Sequence, residues 1–227
     1  MKLSKRLNAI CNLVNNQNVI ADVGSDHGKV VAKLFLDNKI NFAYVSDISA
    51  LSVKKAEDLL VSLNIDKDRY KIIVCDGLKY NDDISSIDLV IIAGMGGYEI
   101  IKILSENKII VKNFILAPNN NEFKLRKYLN KNNYKILCDF VVKDENKFYN
   151  IIKVENGKQK LSKLNFYFGK TNFENITQDF KDFLQYEETK TKNIIVKLPK
   201  SKIHKCKRYL KLIKKTNKKV ERIENDR

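Results

Sequence analysis

Leu3, Leu7, Ile10, Leu13 and Val14 recur at intervals of three and four residues, which predicts an amphipathic helix at the start of the chain. Beyond it, apolar runs of strand length alternate with longer helical patterns. "NVIADVG" (18–24), "FAYVSDI" (42–48), "YKIIVCDG" (70–77), "IDLVIIAG" (87–94) and "NFILAPN" (113–119) read as strands. Between and after them, "KVVAKLFLDN" (29–38), "ALSVKKAEDLLVSLN" (50–64), a segment from about Tyr98 to Glu106 and one from about Glu122 to Asn132 read as helices. Strands that are apolar almost throughout, in repetition with helices, imply a parallel sheet covered on both faces.

The end of this region differs. "YKILCDFVVKDENKFYNIIKVENG" (134–157) holds two strand patterns around the turn-like "KDENK" (143–147), the signature of an antiparallel hairpin. The expected fold is therefore α/β: a doubly wound, mostly parallel, Rossmann-like sheet that ends in an antiparallel hairpin. By fold analogy this suits the class I methyltransferase variant better than a dinucleotide dehydrogenase. From about Lys158 the pattern becomes helical. One helix is expected over 175–198, with Asn175 as its cap, and a second over 200–225, with Pro199 breaking them into an antiparallel, coiled-coil-like hairpin. The domain reading is 1–157 for the α/β unit and 158–227 for a helical extension.

Charge sharpens that division. Of the net +16, residues 1–155 hold 23 Lys/Arg against 19 Asp/Glu, and residues 156–227 hold 20 against 8. A balance of +4 in the larger part and +12 in the smaller favours a polyanion such as nucleic acid at the extension. A Lys-, Asn- and Ile-rich composition also reflects an AT-rich genome, and a lysine-dense helix face is otherwise simply solvated. Lys205, Lys207, Arg208, Lys211, Lys214 and Lys215 are the candidate phosphate contacts. The four cysteines, Cys11, Cys75, Cys138 and Cys206, show no metal-ligand spacing, and there are two histidines, so free thiols and no metal are expected. No apolar run reaches 18 residues and no signal-peptide core is present; a cytoplasmic monomer away from membranes is the expectation.

Two loops carry the chemistry. "ADVGSDHG" (21–28) follows the first strand as a nucleotide-binding turn would, but Asp26 stands where G-x-G-x-x-G wants a glycine. A carboxylate there repels a diphosphate and attracts a cation. S-adenosylmethionine, with a sulfonium and an ammonium, fits Asp22 and Asp26 together with Gly24, Ser25 and His27. Asp47 and Ile48 close the second strand, where an acid can accept from ribose hydroxyls. Asp76 and Gly77 close the third, where a carboxylate can accept from the adenine amino group. Any one of these aspartates also suits a turn or a helix cap. After the fourth strand, "AGMGGYE" (93–99) presents Ala93, Gly94, Met95, Gly96 and Gly97 as a bare rim, with Met95 or Tyr98 placed to flank a base.

"KLSKRL", "DVGSDHG", "CDGL", "IAGMGGYEIIKIL" and "FILAPN" followed by "KLRKYL" together resemble the bacterial tRNA (adenine-22-N1)-methyltransferases, the TrmK family, over roughly residues 1–155. The resemblance implies S-adenosylmethionine as donor and N1 of a tRNA adenine as acceptor. It places Asp22, Gly24, Asp26 and His27 in the donor loop, Asp47 at the ribose, and Asp76 and Gly77 at the adenine. It also places Gly94, Met95, Gly96 and Gly97 at the catalytic rim, and Pro118, Asn119 and Arg126 in a substrate-side motif. Asp26 is the candidate catalytic carboxylate. The chain departs from the family at Asp47, usually Glu, at Gly28-Lys29, usually Ala-Tyr, and at Ala117, usually Gln. The other classes open to the sequence are a non-catalytic basic RNA-binding protein and a methyltransferase of another RNA.

Overall fold

The structure is a computed structural model; it describes residues 1–80, 84 and 86–226. Seven strands form one sheet: β1 (Gln17–Val23), β2 (Ile40–Asp47), β3 (Tyr70–Val74), β4 (Ser86–Ala93), β5 (Ile110–Ala117), β6 (Tyr134–Asp144) and β7 (Lys147–Asn156). Their order is β3-β2-β1-β4-β5-β7-β6. The first five are parallel, and β7 runs antiparallel to both β5 and β6. Period-two alternation explains why the strands are apolar throughout. Ile20, Leu89, Ile91 and Ile115 face one layer, α1 (Lys5–Asn12), α2 (Lys29–Leu36) and α3 (Ala50–Ser62). Ala21, Val90, Ile92 and Leu116 face the other, α4 (Gly97–Glu106) and α5 (Glu122–Lys131). Strand order reverses between β1 and β4, so their carboxyl ends open a crevice, the place where such sheets bind ligands.

Beyond β7 lies α6 (Lys163–Phe168), which the hydrophobic pattern did not reveal, then α7 (Gln178–Lys197) and α8 (His204–Asn225). Asn175 is not the cap of α7. Thr177 is, its side chain accepting from the Phe180 N–H at 3.2 Å. Pro199 opens the break between α7 and α8, as expected, followed by one short 3-10 turn. Lys181–Glu224 at 2.9 Å ties the start of α7 to the end of α8, and Asn217 Nδ2 to Glu188 at 3.0 Å joins their middles, an antiparallel hairpin. Phe168, Phe180, Leu184, Ile213 and Val220 form a third apolar cluster that also takes in Val141 of β6.

That contact has a polar counterpart. β6 is an edge strand, and its outward N–H groups need partners. Asp139, Val141 and Lys143 donate theirs to Thr171 Oγ1, Asn172 Oδ1 and Asp179 Oδ2, at 2.8, 3.1 and 2.9 Å. The extension therefore finishes the sheet. At the far end of β6, Asp144 accepts from the N–H groups of Lys5 and Arg6 at 3.3 and 3.0 Å. These bonds and one to Ser4 hold its carboxyl below the usual range although burial works the other way, and they fix the first turn of α1 beside the crevice.

Candidate functional site

At the end of β1 the chain turns through Gly24, whose φ is +75°. A Cβ there would meet only the movable tip of Met95, at 2.4 Å from Cε, so it is the left-handed backbone that calls for glycine at this turn. Gly24 and Ser25 donate their N–H groups to the Ser46 carbonyl at 2.8 and 3.1 Å, pinning the turn to β2. The Asp22 carboxylate is buried and accepts from Ser25 Oγ at 2.5 Å. Burial pushes its pKa up to about 6, with Asp47 adding repulsion and the Ser25 hydrogen bond opposing. Asp26 reaches into the open, 3.2 Å from His27 Nε2 and 3.2 Å from the Ser52 hydroxyl. Asp22, Gly24, Ser25, Asp26, His27, Ala93 and Gly94 share one cavity of about 270 Å³.

The β4 loop also answers a packing need. Gly97 cannot carry a side chain because a Cβ would sit 2.8 Å from the carbonyl oxygens of Asn120 and Asn121. Glu99 accepts from the Gly96 N–H at 2.6 Å and closes the first turn of α4. Met95 packs over Gly24 rather than lying free to flank a base, and Tyr98 is exposed on the first turn of α4. Asn119 Nδ2 donates to the Gly94 carbonyl, which leaves Asn119 Oδ1 as the free, accepting end of that amide.

A second, larger cavity of about 780 Å³ lies between the sheet rim and the helical extension. Asn119 and Phe123, the β6–β7 hairpin with Phe148, Tyr149 and Asn150, Tyr167 of α6, Phe183, Tyr186 and Lys190 of α7, and Tyr209 of α8 line it. Arg6 lines both cavities. Its guanidinium lies 4.7 Å over the Tyr149 ring, Nη2 is 3.5 Å from where a side chain on Gly94 would begin, and Nε is buried without a partner. A cation with an unsatisfied donor thus stands at the junction of a pocket rich in carboxylates and one rich in aromatic rings.

Residues 3–152 match a methyltransferase domain family. A Mycoplasma pneumoniae protein provisionally named a tRNA methyltransferase is 31% identical over 159 residues, 69% of this chain and 73% of its own. The Bacillus subtilis tRNA (adenine(22)-N(1))-methyltransferase is 28% identical over 160 residues, 69% of this chain and 66% of its own. The solved structure of M. capricolum TrmK with S-adenosyl-homocysteine superposes with a TM-score of 0.88 at 26% identity, covering 97% of this chain and 100% of that one. The chain belongs to the TrmK family of methyltransferases.

Two further groups of predicted donor residues lie at the neighbouring strand ends. Asp47 and Ile48 stand at the end of β2 beside the donor loop. Asp47 accepts from the Ser49 N–H at 2.8 Å, and Ile48 is exposed. Asp76 and Gly77 line a small recess at the end of β3. Hydrogen bonds from Lys102 and Lys79, each at 3.2 Å, hold the Asp76 carboxyl below the usual range.

Two assignments on the substrate side need correction. Arg126 has no accessible surface; it is paired with Asp139 at 2.8 Å inside the protein and cannot touch a substrate in this structure. Pro118 is buried at the end of β5 and supports the turn that presents Asn119.

Lys205, Lys207, Arg208, Lys211, Lys214 and Lys215 are exposed on α8. The cations that line the large cavity are instead Arg6, Lys147 and Lys190. Arg6 lies inside "KLSKRL", a stretch already prominent in the sequence, but its place at the junction depends on Asp144, far along the chain. The aromatic wall comes from five separate segments, so no local spacing announced it. No helix among the described residues is long and apolar enough to cross a membrane, and no group of three or more His, Cys, Asp or Glu there is arranged to hold a metal ion.

Proposed function

We propose that the protein transfers the methyl group of S-adenosylmethionine to N1 of adenine 22 in tRNA, acting as a monomer in the cytoplasm. The observation that carries this reading is the meeting of the two cavities at Arg6, beside Gly94, in a chain of the TrmK family. The residues present fit the donor. Asp22 and Asp26 supply negative charge for its ammonium and sulfonium, and the unpartnered Arg6 Nε is a donor for its carboxylate. Asp47 accepts from the ribose, and Asp76 from the adenine amino group. When bound, the donor supplies an electrophilic methyl carbon.

The chain's own work is positioning and electrostatics. Adenine N1 carries an in-plane lone pair at neutral pH, so no strong base has to remove a proton first. Asn119 Oδ1, fixed because Nδ2 is held by Gly94, accepts from the adenine amino group and aims N1 at the rim. The base gains positive charge as the methyl arrives, and Asp26, exposed at the rim, stabilises that charge. N1 lies on the Watson–Crick edge, so the base enters unpaired and stacks among the rings of the large cavity. Lys147, Lys190 and the basic face of α8 neutralise flanking phosphates.

Incubation with unmodified tRNA and labelled S-adenosylmethionine, followed by mapping of the labelled base, tests the reading. Label at N1 of adenine 22 is expected, and label confined to another base or to no RNA refutes it. Asp26→Ala is expected to lower the rate at saturating donor by roughly tenfold to a hundredfold. A near wild-type rate there would confine Asp26 to donor binding.

A further inference from the structure

The buried Arg126 uses every donor it has. Nε and Nη2 bond the two oxygens of Asp139, each at 2.8 Å, and Nη2 also bonds Asn150 Oδ1 at 2.7 Å. Nη1 bonds the carbonyls of Phe166 and Tyr167 at 3.4 and 3.2 Å. A guanidinium has five N–H donors and no acceptor. The group facing it from Asn150 is therefore the amide oxygen, and the amide nitrogen is the arm turned away.

Asn150 is 5% exposed and lines the large cavity together with Tyr149 and Tyr167. Its Nδ2 donates to no protein group among the described residues. It is also absent from the buried orphans found there, which are Arg6 Nε, the Tyr70 hydroxyl and Asn130 Oδ1. An unpaired amide N–H of a nearly buried side chain thus opens onto the cavity. Such a group gains most when a ligand supplies an acceptor, and costs most when the ligand does not.

We infer that Asn150 is a base-reading residue: Arg126 takes its oxygen, and its Nδ2 donates to N7 of the target adenine. This rests on the methyl transfer to adenine proposed above. N6 and N7 are neighbours on one edge of the ring, with N1 on the other side of N6. With N1 aimed at Gly94 and the amino group on Asn119 Oδ1, N7 is the next acceptor along that edge. An acceptor at Asn119 and a donor at Asn150 match adenine, which shows a donor at N6 and an acceptor at N7. Guanine offers N7 but an acceptor at O6, which Asn119 Oδ1 repels. Arg126 is then a positioning residue; without it the Asn150 amide is free to turn over.

The test uses the full chain, Asn150→Leu and Asn150→Asp, with ordinary tRNA and tRNA carrying 7-deazaadenosine at the target position. Wild type is expected to lose tenfold or more in kcat/KM on the deaza substrate. Asn150→Leu is expected to lose a similar factor on ordinary tRNA and then to treat both substrates alike within twofold. Asn150→Asp still offers Arg126 an oxygen but presents no N–H to the cavity. A second carboxylate beside Asp139 should lower its melting temperature, but it should keep the wild-type S-adenosyl-homocysteine affinity while losing tenfold or more in kcat/KM on ordinary tRNA.

Wild type indifferent to the deaza substitution overturns the inference, as does Asn150→Leu that keeps the full deaza penalty. Asn150→Asp with wild-type kcat/KM overturns it too, and this arm and the wild-type deaza arm decide the matter even if the leucine variant does not fold. A wild-type protein that methylates no tRNA adenine defeats the earlier reading and this one with it. One that methylates ordinary and deaza substrates alike defeats this one alone.

Discussion

Asp22→Asn is expected to weaken donor binding by roughly thirtyfold or more at pH 7 to 8, the usual consequence of removing one partner of a desolvated charge pair. The same substitution is expected to raise the melting temperature of the ligand-free protein. The two effects have one cause. Asp22 is buried at the end of β1 with a single side-chain hydrogen bond, from Ser25, and its pKa is pushed up from 3.8 to about 6 by burial and by Asp47. The native state therefore holds this proton more tightly than the unfolded chain does. Its contribution is neutral below the unfolded value, falls as pH rises from about 4 to about 6, and is fully unfavourable above that. The displacement corresponds to about 3 kcal/mol of native stability withheld at pH 7.

An asparagine carries no such charge, so the variant should gain up to that amount at pH 7 and nothing near pH 4. A bound ammonium reverses the balance for the wild type, because it favours the carboxylate. Donor affinity should therefore fall as pH drops below about 6, by up to tenfold per pH unit, and in Asp22→Asn it should be flat there. Calorimetric titration with S-adenosyl-homocysteine and melting curves from pH 4 to 8 check both arms. A variant that binds normally, or one destabilised equally at every pH, contradicts this account of Asp22.

How much of this was legible in the sequence follows the range over which each feature is determined. The strands of the parallel sheet were visible because alternation and burial are local, and the donor loop because a carboxylate between Gly24 and Gly28 is a local chemical contradiction of a phosphate turn. The glycines at 94–97 were visible too, but their reason was not. Gly97 is small because the β5 loop passes over it, a contact the spacing cannot encode. α6 was invisible since six residues give less than two turns of periodicity. Asn175 and Thr177 are both good caps, and only the tertiary position of Phe180 chooses between them. The large cavity was hidden for the strongest reason: its rings and its Arg6 come from segments spread over some two hundred residues.

Arg126 is the residue for which the family resemblance misled most. Its match to the motif that follows Pro118 and Asn119 put it on the substrate side. Nothing in the neighbourhood of residue 126 reveals Asp139, Asn150 and the carbonyls of Phe166 and Tyr167 converging on it. Arg126→Ala is accordingly expected to cost about 3–5 kcal/mol, because it strands the wholly buried Asp139 carboxylate without its cation. For a chain of this length that lowers the melting temperature by roughly 6–20 °C.

Lysine is not a rescue. An ammonium has three donors on one atom, and this site asks for a planar fork that serves a carboxylate, an amide and two carbonyls at once. Arg126→Lys should fall nearer to alanine than to wild type. Replacing both charges, as Arg126→Met with Asp139→Leu, removes the stranded carboxylate and should recover part of the loss, leaving the cost of the freed carbonyls and of Asn150. Thermal and urea melts of the four proteins measure this order.

A cost below 1 kcal/mol for Arg126→Ala would mean that the pair is dispensable to the fold. The expected cost would instead show that a cation buried between α5, the terminal strands and α6 holds the helical extension in register with the sheet. The walls of the large cavity, carried partly by each, keep their spacing only while that register holds.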